Sequence, residues 1–187
     1  MNLFYEEYPN KIIVDEEEIP IITDFREYIK LMDMLNDSKL LSHEKAYFLL
    51  QYFKEPPKDF SAAIDALIGF VLMDELQTVE STNNQNETPK KEVYSFEYDY
   101  PFIFSAFLSE YGINIRTIPY MHWWEFRLLF DGLPEKTEIK QRIMYRSIDL
   151  NEIKDKDERK RIQKIQNTIR LPNTRVSDYD IGNAFEW

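Results

Sequence analysis

The chain has 187 residues, of which 43% are hydrophobic and 15% aromatic, and its formal net charge is −11. This apolar content is enough for a packed core, so a wholly disordered chain is excluded. The absence of cysteine excludes disulfides, thiolate metal sites and cysteine nucleophiles, and it suits a reducing cytoplasm. Only 4 Gly beside 13 Phe and 12 Tyr argue against glycine-rich nucleotide-binding loops and favour a mainly α protein.

The segment 11–22 predicts a small β-hairpin. Two short apolar runs flank an acidic turn, and Pro20 limits the second run to an edge strand. The turn contains Asp15, Glu16, Glu17 and Glu18, whose carboxylates could bind a divalent cation weakly. They lack the spacing of a calcium loop, so we interpret them as a solvated turn.

Three helices are predicted between this hairpin and residue 77. The first has apolar residues that share one face, and the third is apolar on most sides, which indicates a central buried helix. The predicted spans are Thr23 or Asp24 to Asn36, with Phe25, Tyr28, Ile29, Met32 and Leu35 inward; Ser42 to Phe53, with Ala46, Leu49, Leu50 and Phe53 inward and Pro56-Pro57 as the stop; and Asp59 or Ser61 to Leu76.

Four further helices are predicted after a polar, aperiodic segment at 78–92 that is typical of a flexible loop or linker. They run from an Asp99 cap with Pro101 in the first turn to Gly112; from Thr117 and Pro119 to Asp131-Gly132, with Met121, Trp124, Leu128 and Leu129 inward; from Thr137 to Ile148; and from Lys154 to Arg170.

The predicted fold is therefore a helical domain of about six to seven helices with a small N-terminal β-hairpin. We divide the chain into 1–77, the hairpin plus helices; 78–92, the linker; 93–171, an aromatic-rich helical region packing with the first; and 172–187, an extended C-terminal tail. The N-terminus lacks the features of a signal peptide, and no apolar run is long enough to span a bilayer. We expect a cytosolic protein without a membrane partner.

Residue types that support catalysis are few. The two histidines are His43, expected in the first turn of a helix, and His122, which has Glu125 three residues later on the same helix face. A second such pair is missing, so we interpret His122 as hydrogen-bonded or exposed. No glycine-rich phosphate loop, nucleophile elbow or assignable acid and base pair occurs. We expect no enzyme activity, cofactor or metal site.

The aromatic residues between 94 and 137 indicate a core, a protein interface, or a core that continues into one. Neighbours on a helix point about 100° apart, so Trp123 and Trp124 cannot both face one narrow stripe. Trp124 is in phase with other apolar residues and is placed inside. Trp123 with Arg127 and Phe130 is predicted to border a partner surface; the alternative is that a neighbouring element covers both tryptophans.

Charge is unevenly distributed along the chain. Residues 1–90 contain 8 Lys+Arg and 18 Asp+Glu, net −10, whereas 154–175 contain 8 basic and 3 acidic residues, net +5. This layout permits head-to-tail contact between copies, or intramolecular docking. The basic helix, with Lys160, Arg161 and Lys164, fits an acidic protein partner better than nucleic acid, because acidic residues are interleaved and the whole chain is acidic.

Several sequence strings resemble the bacteriophage gene-product-fifteen family of tailed-phage and prophage proteins. The resemblance covers nearly the whole chain and depends on YSFEYD (94–99), FSAFL (104–108) with YGI (111–113), HWWEFRLLFDGLPEKT (122–137), YRSIDLNEIKDK (145–156), and the N-terminal YP and TDFREY (8–28). The HWWxFxxLFxGLP pattern is fairly specific. The family implies no catalytic residues.

The resemblance implies a role in phage tail assembly, since genes of this family lie in the tail module near the gene for the tape-measure protein. A chaperone that keeps the tape-measure protein soluble while tail-tube subunits polymerise is the expected function, in the cytoplasm of the bacterial host. The expected partners are the tape-measure protein and the tail tube protein. The alternatives are a minor structural tail component, and a host-directed or regulatory binder that uses the basic helix 154–170.

Overall fold

The computed structural model describes residues 2–37, 39–76 and 93–172. Within these ranges the chain forms seven α-helices and one two-stranded antiparallel sheet, which confirms the mainly α class with a small N-terminal hairpin. The predicted linker 78–92 and the predicted tail beyond Pro172 lie outside the described residues. The elements in chain order are β1 (Lys11–Val14), β2 (Glu17–Pro20), α1 (Phe25–Asn36), α2 (Ser42–Leu49), α3 (Phe60–Leu72), α4 (Phe96–Tyr111), α5 (Trp123–Asp131), α6 (Glu138–Ser147) and α7 (Lys156–Thr168).

The hairpin confirms the predicted acidic turn. Asp15 and Glu16 form a two-residue turn with φ angles of 47° and 66°. Such positive φ angles at both central residues match the twist of the flanking strands. The other two acidic residues of the cluster form ion pairs, Glu17 with Lys58 and Glu18 with Lys11.

Helix α1 begins where the sequence predicts. The N-cap is Asp24, whose Oδ1 accepts a hydrogen bond from the Arg26 backbone N–H at 2.9 Å. The face directed into the core contains Phe25, Tyr28, Leu31, Met32 and Leu35, while Ile29 is half-buried.

Helix α2 is shorter than predicted. It ends at Leu49 and continues as a single 3₁₀ turn, Leu50–Tyr52, so Pro56-Pro57 is not the stop. Phe53 is already extended because it forms an isolated β-bridge with Ile21. Leu50, predicted to point inward, is exposed, whereas Leu49 and Phe53 are buried as expected. His43 lies in the first turn, as predicted.

Helix α3 is capped by Asp59, whose carboxylate accepts a hydrogen bond from the Ala62 N–H at 3.0 Å. It ends at Leu72 rather than Leu76, because Met73 adopts the left-handed conformation with φ 60°. Its buried residues form one side of the helix, so burial is less complete than predicted: they are Ala63, Ile64, Leu67, Phe70 and Val71.

Helix α4 begins earlier than predicted, at Phe96. Its N-cap is Ser95, whose Oγ accepts from the Tyr98 N–H at 3.4 Å, so the prediction that Asp99 is the cap is wrong. Pro101 consequently lies inside the helix, where it removes one backbone donor without ending the helix. The end at Gly112, with φ 68°, is as predicted.

Helix α5 begins at Trp123, later than the predicted start at Thr117 and Pro119. Residues 115–117 form a turn, and the backbone just before α5 pairs with the start of α1: Phe25 N–H donates to Met121 O at 3.1 Å, and Trp123 N–H donates to Thr23 O at 2.8 Å. The predicted end at Asp131 is correct. Leu128, predicted to point inward, is exposed.

The last two helices agree with the sequence. Thr137 is the N-cap of α6, as predicted. Asp155 caps α7 and accepts hydrogen bonds from the Asp157 and Glu158 N–H groups at 2.9 and 2.7 Å. Because Ile162 is buried and most other α7 side chains are exposed, this helix presents mainly charge to solvent.

The described residues form two compact units, and helix α5 contributes to both. The first unit contains residues up to 76 together with Tyr120–Arg127, and the second contains 93–119 and 128–172. The segment 120–127, which the sequence assigns to the later region, therefore belongs to the first unit.

Candidate interaction surfaces

Trp123 and Trp124 both lie in the core of the first unit. Their exposed fractions are 0% and 1%, so the prediction that Trp123 borders a partner surface is wrong. The indole Nε1–H of Trp123 donates to Val71 O at 3.0 Å, and that of Trp124 donates to Phe70 O at 2.8 Å. These are carbonyls of the last turn of α3, and Phe70 O also accepts the Met73 backbone N–H at 3.2 Å.

Both indole rings can be buried because they contact the C-terminal end of α3 as well as side chains of neighbouring helices. The Trp123 ring lies 5.4 Å from the Tyr28 ring and 6.0 Å from the Phe126 ring, and the Trp124 ring lies 5.6 Å from the Phe70 ring. The two rings thus pack against different neighbours. Adjacent tryptophans pointing about 100° apart are compatible with this arrangement.

Phe130 and Arg127 are also poor candidates for a partner surface. Phe130 is 2% exposed in the second unit, where its ring lies 5.1 Å from Tyr94 and 6.1 Å from Phe96. Arg127 is half-buried in the first unit, with its guanidinium 5.5 Å from the Trp123 ring centre. The prediction is therefore wrong for Phe130, and the Arg127 side chain packs within its own unit.

His122 is a structural residue that caps α5. Its Nδ1 accepts the Trp124 N–H at 3.0 Å, so the proton is on Nε2, which donates to Pro9 O at 3.0 Å. Burial lowers the pKa of His122, although the hydrogen bond to Pro9 partly opposes this effect. Both ring nitrogens are occupied, which confirms a hydrogen-bonded histidine and leaves no lone pair for a metal ion.

A buried ion pair in the second unit joins α4 and α6. Arg146 Nη1 and Nη2 donate to Asp99 Oδ2 and Oδ1 at 2.5 and 3.0 Å. Arg146 also donates to Val93 O and Ile169 O, and Asp99 accepts from Ser95 N–H. This hydrogen-bonded network joins α4 and α6 to Val93 and Ile169 within the second unit.

Helix α4 presents an apolar outer face to solvent. Its buried side packs in the second unit, while Tyr100 and Leu108 on another side are each more than 40% exposed. The half-buried Phe104 ring stacks on Tyr100 at 6.1 Å, so residues 100, 104 and 108 form a continuous row at a spacing of four. We call this row of three residues the α4 outer face; contiguous apolar surface of this kind marks interaction sites.

A second apolar surface is formed by α2 and its flanks in the first unit. Leu41, Tyr47, Phe48 and Leu50 are exposed, and the Tyr47 and Phe48 rings meet edge to face at 6.1 Å. Of these two surfaces, the α4 outer face is the more regular, because its three residues lie in one line along a sixteen-residue helix.

The predicted basic residues of α7 are exposed. Lys160, Arg161 and Lys164 lie on the solvent side of α7, and none of the three is in an ion pair within the described residues. We call them the α7 basic face. The three basic side chains are therefore accessible to a partner, whereas Trp123 and Phe130 are buried.

Neither a metal centre nor a membrane span is found in the part of the chain that the structure describes. No group of three or more His, Cys, Asp or Glu side chains could hold a metal ion among residues 2–37, 39–76 and 93–172. No helix in those ranges is long and apolar enough to cross a membrane.

The fold defines a mainly α protein with a small N-terminal hairpin, and a match to a protein-family model identifies its family. The family model described as Bacteriophage Gp15 protein matches residues 5–171. The chain therefore belongs to this family, which indicates a bacteriophage structural or assembly protein, and the resemblance seen in the sequence is confirmed. No curated protein and no solved structure matches the chain.

Proposed function

We propose that this protein binds the tape-measure protein during phage tail assembly, as a chaperone in the cytoplasm of the host. The α4 outer face carries the proposal, because it is a row of exposed apolar side chains on a long helix. Family membership and the tail-module position implied by the resemblance support the choice of partner. No catalytic step is part of this function.

The physical reason is the shape of the partner. A tape-measure protein is long and largely helical, and its apolar stripes must be covered until the tail tube encloses them. A row at a spacing of four residues can pack along another helix by ridges and grooves. Tyr100, Phe104 and Leu108 provide that ridge on α4.

The acidic charge of the chain serves the same function. A complex with covered apolar stripes must still stay in solution, and a net charge of −11 opposes aggregation between complexes. Tyr100, Phe104 and Leu108 are uncharged, so binding through the α4 outer face uses none of the acidic side chains of residues 1–90, which have net charge −10.

The test is co-expression with the tape-measure protein of the same tail gene cluster, followed by size-exclusion chromatography with light scattering. We expect a defined complex that keeps the tape-measure protein soluble. The variant Tyr100→Ala with Leu108→Ala should weaken this complex about tenfold or more, since a few central apolar residues dominate binding. Alanine preserves the helix, so the fold should be unchanged.

A matched control is available on α2. Tyr47→Ala with Leu50→Ala removes the same two residue types from the other exposed apolar surface. Loss of the complex in the α4 variant and its retention in the α2 variant supports the proposal. The reverse result assigns binding to α2, and no complex with the wild-type chain contradicts the chaperone function.

A minor structural tail component is the second candidate, because family membership fits structural and assembly proteins equally. Mass spectrometry of purified tails separates the two. A chaperone should be absent from finished tails, whereas a component should be present at a fixed copy number.

A further inference from the structure

An acidic cleft lies in the first unit, between the segment before β1 and the end of α3. Its volume is about 600 Å³. Phe70 and Trp124 are buried side chains at its base, and the exposed carboxylates of Glu7, Asp74 and Glu75 line it. Lys11 also lines the cleft, but its ammonium group is in an ion pair with Glu18. The cleft is therefore apolar at its base and negatively charged at its edge.

Two of these carboxylates have no ion-pair partner within the described residues. Neither Glu7 nor Glu75 is in an ion pair. Two such uncompensated charges beside an apolar base favour a ligand that combines positive charge with methylene groups. Lysine and arginine side chains have this combination, because their apolar stems cover apolar surface while the charged ends stay in water or meet carboxylates.

We propose that the acidic cleft of one copy binds the α7 basic face of a second copy. Lys160, Arg161 and Lys164 supply cations that have no ion-pair partner within the described residues, and Glu7 and Glu75 are the cleft carboxylates that likewise have none there. Their spacing places all three on neighbouring positions of one helix. The stems of these side chains cover Ile13, which lines the cleft and is 68% exposed, and the charged ends reach the carboxylates.

The contact is heterologous, because the two faces belong to different parts of the chain. Each copy has both faces, so each can bind two neighbours. Such contacts produce a closed ring if the rotation closes and an open chain if it does not. This inference goes beyond the proposed function, since it involves the first unit and α7 and not the α4 outer face.

The first measurement is sedimentation velocity of the full chain alone, over a range of protein concentrations. We expect self-association that grows with concentration. It should be strong in about 0.1 M salt and weak in about 1 M salt, where the Debye length falls from about 10 Å to about 3 Å. No tape-measure protein is present, so failure here is separate from failure of the chaperone proposal.

Charge reversals then locate the contact. Glu75→Lys and Lys164→Glu should each weaken self-association about tenfold or more, because like charges face each other in the contact. An equimolar mixture of E75K and K164E should associate again. In that mixture the unchanged α7 of E75K meets the unchanged cleft of K164E.

The control is Glu152→Lys, which changes the net charge by the same amount at an exposed carboxylate of the second unit. It should leave self-association unchanged. A chain that stays monomeric at all concentrations overturns the proposal. So does association that resists salt and both reversals, because such association would depend on an apolar surface.

Discussion

The Arg146 guanidinium donates two parallel hydrogen bonds to the Asp99 carboxylate in the core of the second unit. Only 1% of Asp99 and 4% of Arg146 is exposed, so neither charge has water as a substitute partner. A buried charge that loses its counter-ion is costly, even where the intact pair contributes little net stability. This relationship makes the second unit sensitive to removal of either partner.

Arg146→Ala should lower the free energy of unfolding by about 3–5 kcal/mol, because it leaves the Asp99 carboxylate buried without its partner. Urea denaturation followed by circular dichroism measures this loss. Asp99→Leu combined with Arg146→Met should recover most of it, since an apolar pair replaces both charges. Lys136→Ala removes a largely exposed partner of Glu110 and should cost less than about 1 kcal/mol. Equal losses in the Arg146 and Lys136 variants would contradict this account.

Trp123→Ala should destabilise the protein by about 3–5 kcal/mol, since it removes a fully buried indole. Trp123→Phe should cost about 1–3 kcal/mol, because the ring is largely kept but Val71 O loses its donor. Thermal and urea unfolding measure both. Leu128→Ala on the exposed side of α5 is the control and should stay within about 0.5 kcal/mol of the wild type.

The stability of the first unit should fall with acidification because of His122. Its folded-state pKa is lowered by burial, whereas the unfolded chain keeps the ordinary pKa of about 6.5. The unfolded state therefore binds more protons between these two values, and stability is lost as pH falls from about 6.5 towards the folded pKa. Urea midpoints between pH 7.5 and pH 5, about the range that histidine titrates in, measure the effect.

His43→Gln is the comparison variant for that experiment, since it removes the other histidine, which is exposed on α2. His122→Gln should flatten the dependence, because the titrating ring is gone. A wild-type profile that is flat through this range would show that His122 binds protons equally in the folded and unfolded states, which would contradict the lowered pKa.

Gly112→Ala should destabilise the second unit by about 1–2 kcal/mol, since an L-residue at φ 68° is strained. A Cβ at this position would meet nothing within 4 Å, so the cost is confined to the backbone. Gly112→Asn should cost less, because asparagine tolerates the left-handed region. Thermal unfolding of the two variants gives the comparison, and equal losses would argue against backbone strain as the cause.

Helix ends could be predicted wherever neighbouring residues decide them. Asp24, Thr137 and Gly112 act within one turn of the helix that each begins or ends; Thr137 and Gly112 are predicted correctly, and Asp24 is one of the two predicted caps of α1. Asp99 has the same local signal as a cap, but its carboxylate is taken by Arg146, 47 residues later. No pattern within one helix contains that information.

The candidate surface was harder to predict than the fold. Helical periodicity correctly places Trp124 inside, but the prediction for Trp123 assumes a single narrow buried stripe on α5. The indole donors instead reach the last turn of α3, so Trp123 is buried as well. The exposed row on α4 was missed because that helix is apolar on both sides, and hydrophobicity alone does not distinguish the face that stays in solvent.

The return of residues 120–127 to the first unit affects the order in which the chain folds during synthesis. The last turn of α3 receives its indole donors from residues 52 and 54 positions later. Domains generally fold as units while the ribosome elongates the chain. The first unit therefore stays incomplete while 93–119, a large part of the second unit, emerges, and its core closes only once Trp123 and Trp124 have left the ribosome.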